Sequence, residues 1–409
     1  MLVTAGSVEV TPTVPSPLGA NGLPDVPWRR VADTLEVNAL VVHEEPSPLV
    51  ILTVDALFIG SYLRGLVEAG LQDLVPPQRL WLSASHTHRA PAMDPDKPLL
   101  GVPSAAFVEG LAEQAVRLVT DLLQSSPSEA VIHASSAHAR HAIHRRRAGR
   151  PRLSGDGFAW GGITMAPNPD VACDERVRRY DVLDPAGRRL AVLWHYACHP
   201  TAAPDRLAVS AEFPGVARER LRDLYGEVPV LFLQGFSGDV RPPSIATYRD
   251  DFVRRLRLGP HFRDFTPDEF ARWSGSLAEV VGGAESVETG QTASPIVNRR
   301  IEVPASQFFE GAAPGATVSF QRIALGPLHM VGVGAELVSA YQALLEECAG
   351  DAEILGVGCL DAANGYIATS RQLAEGGYEA GGFCHLFGLT GVNPDVEDNV
   401  RRAFRQVLD

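Results

Sequence analysis

The sequence predicts an α/β (α+β) protein with mixed β-sheets flanked by helices, and three observations carry that prediction. Short apolar runs of strand length recur through all 409 residues. Amphipathic stretches of helical period alternate with them, the arrangement expected when helices cover the faces of a sheet. Several runs also stop at residues that handle metals or protons. LWLSAS leads into His86 and His88, RLAVLW into His195 and His199, VLFLQGFSG into Asp239, LHMVGVGA into Glu336, and ILGVGCLDAANG into Tyr366. In open α/β sheets ligands bind beyond the carboxyl ends of the strands, where loops converge on a rigid support. His, Glu and Tyr side chains gathered there predict a metal-dependent enzyme.

Taken in chain order, strands are expected at Val37–Val42, Leu49–Val54, Leu80–Ala84, Ala130–His133, Leu190–Trp194, Val228–Leu233, Ile296–Val303, Val318–Ala324, Leu328–Val333 and Glu353–Val357. The long helix expected at Ala105–Gln124 places Phe107, Leu111, Leu118 and Leu122 near helical spacing. A second, Glu336–Cys348, places Leu337, Tyr341, Leu344 and Leu345 on one side. Two segments break the alternation. Residues 145–170 open with RRRAGRPRLSGDGFAWGG, rich in Arg, Gly and Pro, and read as a long loop; residues 245–294 are charged and polar and read as a helical insert or lid. No repeat of fixed period is visible, so residues 1–409 are read as a single catalytic domain.

Composition narrows the class of function. A net charge of −13 disfavours nucleic acid, whose phosphates demand a basic face. The 5 cysteines include no C-x-x-C pair and are odd in number, which favours buried thiols in a reducing compartment over a disulfide framework or a thiolate zinc site. The N-terminus lacks a basic segment followed by an apolar one, and no apolar run approaches the length of a membrane span. The expectation is a cytoplasmic protein with no membrane anchor.

The sharpest local signal is SASHTHRAP at 83–91. Extended residues two apart point to the same side, so His86 and His88 can face one site together. In HYACHPTAAP, at 195–204, the proline after His199 restricts its backbone to extended values and orients the side chain; His195, at the strand end, reads as structural. On residue types alone, either His88 or Asp239 would complete a set of four ligands.

SASHTHRAP resembles the SATHTHSGP segment of the neutral ceramidases, zinc-dependent amidases that cut the fatty-acyl amide of ceramide. VEVTPTVPSPLGA at 8–20, TVDAL at 53–57, IHRR at 143–146, CHPT at 198–201, SAEFPG at 210–215, QGFSGDVRP at 234–242, GAE at 334–336 and NGYIATSRQLAEGGYE at 364–379 match further family segments in the same order. The resemblance is to the N-terminal catalytic domain, in a short bacterial-type form, since larger ceramidases continue into a sandwich domain beyond Tyr378. It implies a neutral-ceramidase-like fold and one Zn2+ per chain on His86, His199, Glu336 and Tyr366. His88, Arg145 and Tyr378 then fall where the family polarises the amide and contacts its polar head. Two imidazoles and a carboxylate are a usual catalytic zinc set, so the chemistry of the residues agrees.

Departures from the family bear on substrate. Arg89 and Ala90 follow the second histidine in place of Ser and Gly, and Arg241 replaces a serine after the Gly-Asp segment. Two added guanidinium groups beside a metal suit a carboxylate or phosphate, or else pair with acidic residues of the chain. Asp239 and Glu212 are read as groups that orient the ligands. The expected function is hydrolysis of a linear amide in a small, soluble N-acyl compound rather than membrane ceramide. A metal-dependent esterase or phosphoesterase, or a non-catalytic metal-binding module of the same fold, are the alternatives.

Overall fold

A computed structural model describes residues 1–154, 157–246, 259–287, 295–350, 353–362 and 364–409. The strands that build its sheets are β1 (Leu2–Glu9), β2 (Glu36–His43), β3 (Leu49–Val54), β4 (Leu80–Ala84), β5 (Val131–His138), β6 (Ile143–Ser154), β7 (Gly157–Asn168), β8 (Arg176–Leu183), β9 (Arg189–Tyr196), β10 (Val230–Gln234), β11 (Val240–Arg241), β12 (Val297–Pro304), β13 (Thr317–Leu325), β14 (Leu328–Val333), β15 (Glu336–Leu337), β16 (Leu355–Val357) and β17 (Tyr366–Ile367). The helices are α1 (Gly60–Leu71), α2 (Ala105–Gln124), α3 (Glu212–Tyr225), α4 (Pro267–Gly282), α5 (Tyr341–Ala349), α6 (Ser370–Glu375) and α7 (Val396–Leu408).

Three sheets meet around one apolar centre. The first runs β4-β3-β2-β1, with β3 and β4 parallel; the second runs β10-β9-β8-β5, with β9 and β10 parallel; the third runs β12-β13-β14-β16, with β14 and β16 parallel. Leu40, Ile51 and Trp81 of the first sheet pack with Leu193 and Leu231 of the second and Ile323 and Met330 of the third. Helices cover the outer faces: α1 and α2 lie on the first sheet, α3 and α4 on the second, α5 and α7 on the third. Strands buried on both faces read as unbroken apolar runs, and every residue of β3 and β4 is buried. Each parallel pair brings two carboxyl ends together, and single bridges from Ser83 to Leu360 and from Gly235 to Val357 tie those ends across the sheets.

Two expectations about elements are corrected. Residues 145–170 fall largely in a bulged hairpin of β6 and β7 rather than a loop, with β11 paired along its base. The register shifts repeatedly, at His144/Arg146, Ala148/Gly149 and Gly149/Arg152, which breaks the period-2 pattern by which strands are recognised. Glu336 is not the start of a helix: it lies on β15, paired with Tyr366 of β17, and the helix begins at Tyr341. The segment at 245–294 is helical in α4, preceded by a short antiparallel pair, Ile245–Ala246 with His261–Phe262; residues 247–258 and 288–294 of that expectation lie outside the described residues.

The contact between sheets is tight where Gly332 of β14 faces Trp81 of β4. A Cβ on Gly332 would stand 2.5 Å from the indole ring, which is fully buried. Gly332→Ala is expected to lower unfolding free energy by about 1–3 kcal/mol, the usual cost of overpacking a core. Urea denaturation of the two proteins measures the difference.

Candidate metal centre

The groups at the strand ends are held by main chain before they meet each other. His86 lies just beyond β4 with φ 65°, in the left-handed region, and its Nδ1 is 3.0 Å from the Leu57 carbonyl oxygen. His88 Nδ1 is 3.1 Å from Ala20 O, and His199 Nδ1 is 2.7 Å from Ser237 O. A carbonyl only accepts, so each Nδ1 carries the proton and each Nε2 keeps a lone pair. One ring nitrogen from each histidine lies within 4.8 Å of the others. The Nε2 atoms of His86 and His88 are buried and without a hydrogen-bond partner, as is Glu336 Oε2.

Glu336 Oε2 stands 3.1 Å from His86 Nε2 and 3.2 Å from His199 Nε2. Lone pairs facing a carboxylate oxygen at that distance repel unless a positive centre lies among them. Burial disfavours charge on His86, but its neighbours Cys359 and Glu336 outweigh it and raise its pKa well above the usual value. Burial and the charges of His86 and His199 hold His88 well below its usual range; burial and Arg145 bring His199 down to about 4. Burial opposes the charge on Glu336, yet the imidazoles of His86 and His199 hold its pKa well down. A proton on His86 would satisfy one imidazole, whereas a metal ion would satisfy all the converging atoms, so this donor set fits a zinc-type cation.

Tyr366 reaches the same point from β17, its hydroxyl 3.4 Å from His199 Nε2 and its ring parallel to that imidazole. Burial and the charge of Glu336 push the phenol pKa well up. The Arg145 guanidinium carbon lies 5.5 Å from the Tyr366 ring centre and 5.8 Å from that of Tyr378. Burial and Glu336 push Tyr378 up to about 12, which keeps its hydroxyl a donor at neutral pH.

Other residues singled out in the sequence stand beside this cluster. Asp239 touches no converging nitrogen; it accepts from Ser339 N and Gln372 Nε2 at 2.8 and 2.7 Å and pairs with His144 at 3.0 Å, bracing the loop after β15. Glu212 accepts from the amides of Ala202 and Ala203, at 3.1 and 2.8 Å, and so holds the loop after His199. Arg89 is buried and donates to the carbonyls of His88 and Ala203, at 3.2 and 3.0 Å. Arg241 lies over the Phe262 ring, its guanidinium carbon 4.4 Å from the centre. Sequence reasoning missed Cys359, whose Sγ is 3.3 Å from His86 Nδ1, and Glu379, which accepts from Arg145 Nε and Arg146 Nη1, both at 2.8 Å. It also missed the Leu57, Ala20 and Ser237 carbonyls, which no side-chain pattern announces.

With this arrangement described, the fold can be placed among known ones. The chain has the fold of the neutral ceramidases. It superposes over its full length on 74% of the neutral ceramidase from Pseudomonas aeruginosa, with a TM-score of 0.72 and 16% sequence identity. A second solved structure, a ceramidase complexed with C2, gives a TM-score of 0.73 at 14% identity, again over all of this chain and 74% of the other. No family model matches the sequence, and no curated protein matches it either. Among the described residues, no helix is long and apolar enough to cross a membrane.

His195 stays apart from the cluster. Its Nε2 is bonded to Gly356 O at 3.0 Å, and Arg178 lies 3.4 Å from Nδ1. Burial and Arg178 lower its pKa to about 3. The unfolded chain therefore takes up this proton near pH 6.5 and the folded one does not, so the stability is fully present above 6.5 and is lost as pH falls toward 3. The cost at pH 5 is about 2 kcal/mol from this group. Urea titrations at pH 7 and pH 5 should show a smaller difference for His195→Gln than for the parent.

Proposed function

We propose that this chain is a zinc-dependent hydrolase of a linear amide in a small N-acyl compound. The observation that carries the proposal is the convergence of three imidazoles and a buried carboxylate, each histidine fixed through Nδ1 by a main-chain carbonyl. The assigned ligands are His86, His199, Glu336 and Tyr366. Zinc, when bound, supplies a water of lowered pKa and polarises the carbonyl. Tyr378, still protonated at neutral pH, donates to the oxygen on which negative charge develops. His88, kept neutral by burial and by its neighbours, accepts a proton and passes it to the leaving amine. Arg145, tied to Glu379, orients Tyr366 and Tyr378 from behind. The fold shared with proteins named as ceramidases supports an amide as the bond cut.

A second ligand set is favoured by one distance: the His88 ring nitrogen lies within the same 4.8 Å cluster as those of His86 and His199. In that reading His88 replaces Tyr366, whose phenol is then a donor.

Purified protein should carry about one zinc per chain by elemental analysis, and His86→Ala and His199→Ala should each lose it. Zinc retained by both variants defeats the assignment. Tyr366→Phe should release zinc and His88→Ala keep it under the first ligand set, with the opposite result under the second. Tyr378→Phe should keep zinc and lower kcat on N-acyl substrates by roughly 100-fold, the scale of one lost oxyanion donor.

A further inference from the structure

Arg241 is largely buried and, among the described residues, makes no ion pair and no hydrogen bond; its Nε is shut from solvent without a partner. Its guanidinium lies over the face of Phe262, and a ring face returns only part of the hydration a guanidinium gives up. Among the described residues, the carboxylates whose charge reaches it are already engaged. Asp264 is bonded to Arg206 at 2.9 Å, and Glu212 takes the Ala202 and Ala203 amides. Burial and the charge of Arg145 accordingly pull Arg241 down to about 10, so it remains a cation at neutral pH but an uncompensated one.

Its position ties it to the metal centre. Val240, the preceding residue, accepts the His199 amide and lies 3.1 Å from His199 Nδ1. In the β6/β11 pair Arg241 stands opposite Ile143, two residues from Arg145, whose charge reaches it. Arg145 lies over Tyr366 and Tyr378. Arg89, the other added arginine, has its terminal nitrogens committed to carbonyls, whereas among the described residues the Arg241 guanidinium donates to none.

Resting on the amidase reading above, we infer that Arg241, backed by Phe262, binds a carboxylate carried by the amide substrate, which makes N-acyl amino acids the substrate class. One guanidinium balances one negative charge, and its planar fork matches the two oxygens of a carboxylate; a phosphate dianion would call for further donors.

Binding and turnover separate this inference from the reading beneath it. Zinc-loaded protein is titrated calorimetrically with N-octanoylglycine and with its neutral counterpart N-octanoylglycinamide, and hydrolysis of both is followed by amine release. The parent should bind the acid at least 10-fold more tightly than the amide. Arg241→Gln should weaken the acid alone by roughly 10- to 100-fold, raising KM rather than kcat, and Arg241→Lys should recover part of the loss. Thermal unfolding of both variants identifies any that fail to fold, and Phe262→Leu, which removes only the ring face, then serves in their place and should weaken the acid selectively. Selective binding without hydrolysis keeps the carboxylate site and defeats the amidase reading. Hydrolysis with no preference for the acid, equal losses for both compounds, or binding of neither overturns the inference.

Discussion

Everything at the centre depends on imidazoles whose Nδ1 atoms are anchored to main-chain oxygens from separate parts of the chain. Leu57 follows β3, Ala20 lies in the N-terminal segment before β2, and Ser237 follows β10. Such anchors fix the tautomer and the direction of each Nε2; those of His86 and His88 come from loops of the first sheet and that of His199 from a loop of the second, so the three Nε2 atoms converge only when the two sheets are docked. A separate two-stranded pair, entered directly from β14 of the third sheet, then delivers Glu336 on β15 and Tyr366 on its partner β17. Burying a lone carboxylate costs several kcal/mol, so Glu336, nearly inaccessible to solvent, is tolerable only with positive charge at hand. Folding and the chemistry of the centre are therefore one constraint: the sheets must meet for the donors to converge, and the converged donors must be neutralised for the sheets to stay together.

How much of this was visible in the sequence follows from which atoms carry the information. Strands buried on both faces show themselves as apolar runs, so β3, β4, β10 and β14 could be read directly, and residues ending such runs could be suspected of facing one crevice. Antiparallel β8 hides its strand character because Arg178, Arg179 and Asp181 are buried with partners rather than turned to solvent. The bulged hairpin of β6 and β7 lacks a period for a similar reason: Arg145 and Arg146 both turn to Glu379, far along the chain. Carbonyl anchors are invisible in principle, since every residue has one. Cys359 could be found only through space, 3.3 Å from an imidazole 273 positions away.

The buried polar residues around the centre divide by what they fasten. Asp239 joins β11 to the loop after β15 and to α6 through His144, Ser339 and Gln372, and these partners hold its carboxyl well below the usual range against the effect of burial. Glu379 joins the base of the β6/β7 hairpin to the segment carrying Tyr378. Glu212, with φ 59° in the left-handed region, closes the loop that follows His199. A residue other than glycine holds that conformation only when its surroundings compel it, and the two amides on its carboxylate are such a compulsion. Asp239 and Glu212, expected to orient ligands, grip the loops rather than the imidazoles.

Charge bookkeeping around the centre limits what substrate it suits. Imidazoles that ligate a metal are neutral, Glu336 supplies one negative charge, and Arg145 and Arg146 are answered by Glu379 and Glu375. A divalent ion held by these donors would leave the centre with an excess of one positive charge, in a place where little water remains to screen it. Arg241 adds another nearby, with no ion-pair partner among the described residues. A neutral amide with no other charge would offset neither, whereas a compound carrying one carboxylate besides its amide would offset the second while leaving the first free to polarise the carbonyl. The same two charges would work against a purely apolar lipid amide. On the proposed amidase reading, the charges at the centre would therefore favour amides with an acidic head over those with a hydroxyl-bearing one.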